Sequence, residues 1–334
     1  MATPGKVARS NSKTAGEPAV ITSRENRWLK EFRVALRGGL PTQGGFVGVE
    51  GVRLVEEALR SGCPIRAVLF SESGERHHER LSSLIDRPEM AFPVLRTSDR
   101  LFEGIADTEH SQGVAALVHP QETTFDDLVR APQAACAPLL VILAGVQDPG
   151  NVGTILRTAA AFGATGAATA ASGISGTANP FSPKALRASA GAALHLPVLA
   201  GLSLAILLAQ LRVAGVRTLA TSVREGSSGS TSPTGAQHAA LLQEERSGMQ
   251  PLAPWEVDWC EPVALLVGNE GAGLPEEIER SADARIRIPM ASGVESLNAA
   301  AAAAVVFYEA ARQRNSASTN GIQTSASSRP SKSS

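Results

Sequence analysis

The chain has 334 residues, 43% of them hydrophobic, enough for two domains of ordinary size, each with a real core. Its net charge of −1 argues, taken as a total, against a nucleic-acid partner. An aromatic share of 4% with a single tyrosine excludes a wide base-stacking platform.

In chain order, residues 1–20 are polar and aperiodic and are expected to be a disordered tail rather than a transit peptide. Residues 21–119 form one unit. Helical spacing occurs at 27–36 and 52–59, and short strands are expected at 67–70, 94–95 and 113–118. Residues 120–138, rich in Pro, Ala and Gln with one helical patch at 125–129, are expected to be a linker.

From Leu139 the alternation lengthens. Residues 139–143 are a continuous apolar strand, as in a parallel sheet buried on both faces. A helix is expected over 152–162, and Gly163 stops it before a small-residue strand at 165–170. Ser182-Pro183 is an N-cap with proline at the first helical position, predicting a helix to about Ala193. A further helix over 202–213 leads to a strand at 217–222, and residues 225–258 are expected to be a surface insertion. Strands at 263–267 and 285–288, and helices at 275–280 and 296–312, complete the domain; residues 315–334 are a second expected disordered tail. The expected class is α/β, a small first domain followed by a larger, mainly parallel one.

The charge distribution qualifies the total. No acidic residue lies between Asp148 and Glu225, a stretch that holds Arg157, Lys184, Arg187, Arg212, Arg217 and Arg224. Residues 1–40 carry eight Lys/Arg against three Glu. Phosphate binding depends on local positive surface, although an Ala/Gly-rich core segment can also simply lack carboxylates. Cys63, Cys136 and Cys260 have no metal-type spacing, which suits a reducing compartment with neither disulfides nor a metal site. No apolar run is long enough to cross a membrane, and a cytoplasmic location is expected.

Three segments carry the chemistry. Asn151-Val-Gly153-Thr-Ile-Leu-Arg157 follows the buried strand, at the carboxyl edge where parallel sheets bind ligands. Leu266-Val-Gly268-Asn269-Glu270-Gly271-Ala-Gly273-Leu274 has three glycines in six residues, which permits close backbone approach. It is neither a phosphate loop nor a dinucleotide fingerprint, and its carboxylate suits a cationic or hydroxyl-bearing ligand. Ile288-Pro289-Met290 and Ser296-Leu297-Asn298 run into an Ala-rich helix for which Ser296 is the expected N-cap. Taken singly, each segment is equally readable as a cap, a glycine turn or a solvated arginine.

Together, in this order, the three segments resemble the SpoU (TrmH-like) branch of the SPOUT RNA methyltransferases over about residues 139–313. Phe46-Val-Gly-Val-Glu50-Gly51-Val-Arg53 and Ser111-Gln112-Gly113 resemble signatures of that family's substrate-binding domain, itself similar to RNA-binding ribosomal proteins. Over residues 37–45, glycines replace a segment usually richer in Lys and Arg.

The resemblance implies a parallel sheet whose C-terminal chain is threaded into a trefoil knot, preceded by a small α/β substrate-binding domain. It implies an S-adenosylmethionine-dependent methyltransferase acting on a ribose 2′-hydroxyl of rRNA or tRNA, and a homodimer with the cleft at its interface. Cofactor-binding residues are then Val267, Gly268, Asn269, Glu270, Gly271, Ile288, Pro289, Met290 and Leu297. Catalytic residues are Asn151, Arg157, Glu270, Ser296 and Asn298, with Arg157 either the base or an electrostatic orienter of the 2′-oxygen. Competing readings are a non-catalytic RNA-binding protein of the same fold, a base-methylating relative and a nucleotide-binding oxidoreductase. The first predicts losses in the motifs, the second lacks the Asn…Arg segment, and the third needs a fingerprint this chain does not have.

Overall fold

The computed structural model describes residues 19–87, 92–130, 137–171, 176–222, 250–291 and 296–326. The first unit comprises strands β1 (Ala19–Ile21), β2 (Val47–Glu50), β3 (Ile65–Ser71), β4 (Val94–Thr97) and β5 (Val114–Val118). They form one sheet in the order β1-β4-β3-β5-β2. Its β1, β4 and β3 run parallel, while β5 pairs antiparallel with both β3 and β2. Helices α1 (Arg27–Ala35), α2 (Val52–Arg60), α3 (His78–Ile85) and α4 (Asp99–Glu103) flank it.

Glu50, buried at the end of β2, accepts from the Asp107 N–H at 2.8 Å and from the Thr108 hydroxyl. Gln112 Oε1 accepts from the Val52 N–H at 2.9 Å and so caps α2. The Glu50…Gln112 signature is therefore structural: it satisfies buried or orphaned backbone donors.

The second unit is a six-stranded, wholly parallel sheet. Its strands are β6 (Leu139–Ala144), β7 (Gly166–Ala171), β8 (Val198–Ser203), β9 (Arg217–Thr221), β10 (Val263–Val267) and β11 (Ala284–Ile286), in the order β11-β9-β10-β6-β7-β8. The central pair β6 and β10 is buried along its whole length, as continuous Leu/Val/Ile runs require of strands covered on both faces. Around it lie α6 (Pro149–Ala161), α7 (Pro183–Ala188), α8 (Leu204–Val213), α9 (Glu276–Ser281) and α10 (Ala299–Ala326), and α5 (Phe125–Val129) covers β7 and β8 from the linker.

One apolar cluster runs from Val49 and Val55 of the first unit through Leu186 and Leu194 to Val141 and Leu265 of the second, so the units share a core. Polar ties reinforce it. Arg187 Nη1 lies 2.7 Å from Asp107 Oδ2, an ionic contact without hydrogen-bond alignment, and His195 Nε2 lies 3.2 Å from Glu57 Oε2.

Several expectations need correction. The helix opened by Ser182-Pro183 ends at Ala188, because Ala190 and Gly191 turn to positive φ. Val198–Ser203 is an edge strand, absent from the expected pattern because only Val198 of its six residues is buried. The helix expected from Val152 starts at Pro149, capped by Asp148, whose side chain accepts from the Gly150 N–H at 3.2 Å; Asn151 is thus inside the first turn. Asn298, not Ser296, caps the last helix, accepting from the Ala300 and Ala301 N–H groups at 2.9 and 3.3 Å. That helix runs on to Ala326, through residues expected to be a tail, and Ala19–Ile21 adds an edge strand where a tail was expected.

Residues 250–258, expected at the surface, are built in: Leu252 bridges to Ile286, and Ala253 and Val257 are buried beside fully buried Trp259. Residues 223–249, most of the expected insertion, lie outside the described residues, as do 1–18 and 327–334 and, with them, Arg224. The linker holds a packed element: α5 opens with a Thr124/Asp127 capping box and buries Leu128.

Candidate active site

The site lies where β6 and β10, adjacent and parallel, both end. After β6, Gly145 takes φ 82° and the chain turns into α6. After β10, residues 268–274 form a closed loop in which Asn269 and Gly273 exchange backbone hydrogen bonds at 3.1 and 2.9 Å. The Asn269 side chain organises the loop: Oδ1 accepts from the Gly271 and Ala272 N–H groups, and Nδ2 donates to the Gly145 carbonyl at 3.0 Å. Gly268 is obligatory, since a Cβ there would stand 2.5 Å from the Gly273 carbonyl carbon and the Leu274 nitrogen. Gly153 is likewise constrained, because a Cβ on it would lie 2.2 Å from the Ala185 carbonyl oxygen of α7.

A cavity of about 250 Å³ opens between this loop, the chain after β11 and the start of α10. Of the nine residues expected to hold a cofactor, Val267, Gly268, Asn269, Glu270, Gly271, Ile288, Met290 and Leu297 line it, and Pro289 does not. Ser296 also lines it. Its floor is apolar, from Ile286, Ile288, Leu297 and Val306, and its walls expose backbone from two loops. That character fits a small organic ligand with a flat ring and several hydrogen-bonding groups.

At the edge of the cavity three expected catalytic residues meet. Asn298 Nδ2 donates to Asn151 Oδ1 at 3.1 Å, and Asn151 Nδ2 donates to Glu270 Oε1 at 2.9 Å. The backbone N–H groups of Gln147 and Asp148 point at the same carboxylate from 3.4 Å. Burial pushes the Glu270 carboxyl up, but the Asn151 amide and the backbone N–H groups of Glu270, Gln147 and Asp148 outweigh it and hold it below the usual range. Beside it Asp148 is also held low, by the Lys184 ammonium at 2.6 Å and the Gly150 N–H. The cluster therefore presents a fixed carboxylate at the mouth of an apolar cavity.

Arg157 does not join it. Six residues beyond Asn151, it lies about 9 Å further along the helix and points to a different side. It is exposed and has no hydrogen-bond or ion-pair partner among the described residues.

Sequence reasoning missed Thr221, Ser222, Arg287 and Ala302, which also line the cavity. Thr221 and Ser222 end β9, next to β10 in the sheet, so the rule that ligands gather at the carboxyl ends of parallel strands could have found them. Their hydroxyls are engaged within the protein, with the Leu266 carbonyl at 2.9 Å and Glu279 at 3.4 Å. Among the described residues no cluster of three or more His, Cys, Asp or Glu could hold a metal ion, and no helix is long and apolar enough to cross a membrane.

Comparison with known proteins agrees with this geometry. Residues 138–308 match the model of the SpoU rRNA methylase family, and residues 49–124 match a model described as RNA 2′-O ribose methyltransferase substrate binding. The chain is 29% identical to the 23S rRNA (guanosine(2553)-2′-O)-methyltransferase RlmP of Bacillus subtilis, over 86% of this chain and 97% of that protein. It is 30% identical to a 23S rRNA (uridine(2479)-2′-O)-methyltransferase of Streptomyces viridochromogenes, over 94% and 99%. The crystal structure of an AdoMet-bound rRNA methyltransferase from Sinorhizobium meliloti superposes with a TM-score of 0.69 at 28% identity, covering 89% of this chain and 98% of that one. A shared core motif set, a matching fold and near full-length relatives lead to one conclusion: the chain belongs to the SpoU rRNA methylase family.

Proposed function

We propose that this protein transfers a methyl group from S-adenosylmethionine to a ribose 2′-hydroxyl of structured RNA, an rRNA or a tRNA. The observation that carries the proposal is the Asn298–Asn151–Glu270 chain of hydrogen bonds set at the mouth of the cavity. The relatives named above as 2′-O-methyltransferases support it.

The cavity suits the cofactor: its apolar floor accepts an adenine ring, its exposed backbone serves the polar groups, and the ionised Glu270 offsets a cation at the mouth. S-adenosylmethionine supplies a methyl group activated by a positively charged sulfur. The chain's own residues then bind and orient. Residues 267–271, 288–290 and Leu297 hold the cofactor, while Asn151, Ser296, Asn298 and Glu270 fix the 2′-hydroxyl against it. Positioning of this kind can lower a barrier by about 7–11 kcal/mol in the best cases.

Arg157 anchors the phosphate next to the reacting ribose and acts on the 2′-oxygen, either as its base or as the electrostatic orienter of the charge that develops there. Its outward direction fits a homodimer in which the Arg157 of one subunit serves the other's site. Exposed Ala301, Val305 and Tyr308 form an apolar stripe on α10, which packs against α6, the helix that bears Arg157, and together they offer the dimer surface. In this reading residues 139–314 form the methyltransferase domain, with a C-terminal trefoil knot and an insertion at 225–258. Residues 21–119 form the RNA substrate-binding domain, 120–138 link the two, and the enzyme works in the cytoplasm.

The test is ribose-methylation mapping of total RNA from cells with and without the gene, repeated with Arg157→Ala. Loss of one 2′-O-methyl site in both is expected, with cofactor affinity of the variant unchanged. An unchanged methylation map would sink the reading.

A further inference from the structure

The first 48 residues lie outside the stretch matched by the substrate-binding model, yet α1 carries a consistent charge pattern. Leu29, Phe32, Ala35 and Leu36 face the core. The opposite side presents Arg27, Lys30, Arg33 and Arg37, with Arg24 just before the helix. Only two acids lie between residues 24 and 37, and both are engaged. Glu25 pairs with Lys30 at 2.7 Å, and Glu31 takes Arg66 in a bidentate pair at 2.6 and 2.9 Å. Arg24, Arg27, Arg33 and Arg37 have no ion-pair partner among the described residues. Along the helix Arg27 and Arg33 stand about 9 Å apart, and Arg37 lies in the turn that follows the Leu36 cap.

Two features make this more than a solvated face. Arg66 is clamped with its guanidinium carbon 5.3 Å from the Trp28 ring and 5.4 Å from the Phe46 ring. It lines a groove together with Lys30, its own partner Glu31, Val34, Thr42, Gln43 and Gly44. The groove thus lies beside the stripe, with Arg66 fixed by contact with two rings and by a bidentate pair.

The second feature is where the stripe ends. Past Arg37, a Cβ placed on Gly39 would touch Pro183 Cδ at 3.8 Å, so the turn that follows α1 abuts the start of α7. The next residue, Lys184, holds Asp148 at 2.6 Å, and Asp148 caps the helix that bears Asn151. From Arg27 the cations lead to the rim of the Asn151–Glu270 cluster.

We infer that α1 and its adjoining groove bind the phosphate backbone of the RNA flanking the methylated nucleotide, with Arg27, Arg33 and Arg37 as the phosphate contacts. This rests on the RNA methyltransferase reading and deepens it. Arginines without an ion pair, Arg27 among them with its guanidinium carbon 5.3 Å from the Trp28 ring, release counterions on binding RNA, and affinity gained this way weakens with salt.

The experiment uses the full chain with Arg27, Arg33 and Arg37 all changed to Gln, and ribosomal RNA from cells lacking the gene. Methyl transfer from radiolabelled S-adenosylmethionine and filter binding across a salt series are measured. The variant should raise KM for RNA by about tenfold or more, leave KM for the cofactor unchanged, and flatten the log-affinity against log-salt slope by about 2 to 3 units. Unchanged KM for RNA together with an unchanged slope overturns the inference. If the unaltered protein binds this RNA without methylating it, the substrate reading fails while the slope still decides the role of α1. If it neither binds nor methylates, both fail.

Discussion

Asn298 donates to Asn151 at 3.1 Å across 147 residues of chain, and so joins the first turn of α10 to the first turn of α6. The same Asn298 caps its own helix through Oδ1, and Asn151 passes the contact on to Glu270 through Nδ2. Each amide is used at both ends, so a flip would cost Asn151 two bonds and Asn298 three. Replacing Asn151 by Ala removes both and leaves Glu270 with only backbone donors. A hydrogen bond to a charged group contributes about 1.5–3 kcal/mol, so Asn151→Ala should lower kcat by about 10- to 100-fold. Steady-state methylation kinetics check this, and Asn298→Ala should show a smaller loss in the same parameter.

Glu270 gives a pH prediction. Its folded-state value is depressed, so the contacts made by its charged form are complete above the ordinary glutamate range, near about 4.3, and are lost as pH falls through the depressed value. Cofactor affinity by calorimetry should therefore be flat between about pH 6 and 8 as far as Glu270 is concerned, and weaken only in acid. The Glu270→Gln variant should lack that acid limb. An acid limb retained in the Gln variant would assign it to another group.

Gly268→Ala should be more damaging than its size suggests. The added methyl would meet backbone on the other arm of the loop at 2.5 Å, and backbone cannot step aside as a side chain can. Overpacking of this kind costs about 1–3 kcal/mol. The loop is expected to open, with loss of cofactor binding by calorimetry and a lowered Tm. Normal affinity in this variant would mean the loop tolerates a wider separation than the structure has.

Arg314 offers the opposite case. Its guanidinium donates to the carbonyls of Trp259 and Ala137 at 2.7 Å each, and to Glu261 at 3.2 Å, at the end of the sheet away from the cavity. It pins α10 to the segments that lead into β6 and β10. Arg314→Ala should cost about 3 kcal/mol of stability, read as a lowered denaturation midpoint, with kcat little changed at low temperature.

Much was legible in the sequence because it is local. The Leu139–Ala144 and Val263–Val267 strands are continuous apolar runs, and their burial follows from composition alone. The Ser182 cap is set by a side chain that reaches its own backbone. The three motifs, in order, identified the family and named most of the cavity lining, since glycine spacing and a carboxylate restrict what a loop can hold.

Tertiary structure decided what depends on neighbours distant in sequence. Asn298 rather than Ser296 caps α10, and that choice also sets its bond to Asn151. Residues 250–258 read as part of a surface insertion, yet Val257, with Trp259 just beyond, joins the core that α10 completes. Thr221 and Ser222 reach the cavity only because β9 lies beside β10 in the sheet. Arg157 is the opposite case: its motif groups it with Asn151, and the six-residue helical spacing by itself turns it away from the cluster. Sequence spacing fixes which residues share a turn, whereas the packing of α6 against α7 and α10 fixes which of them face the site.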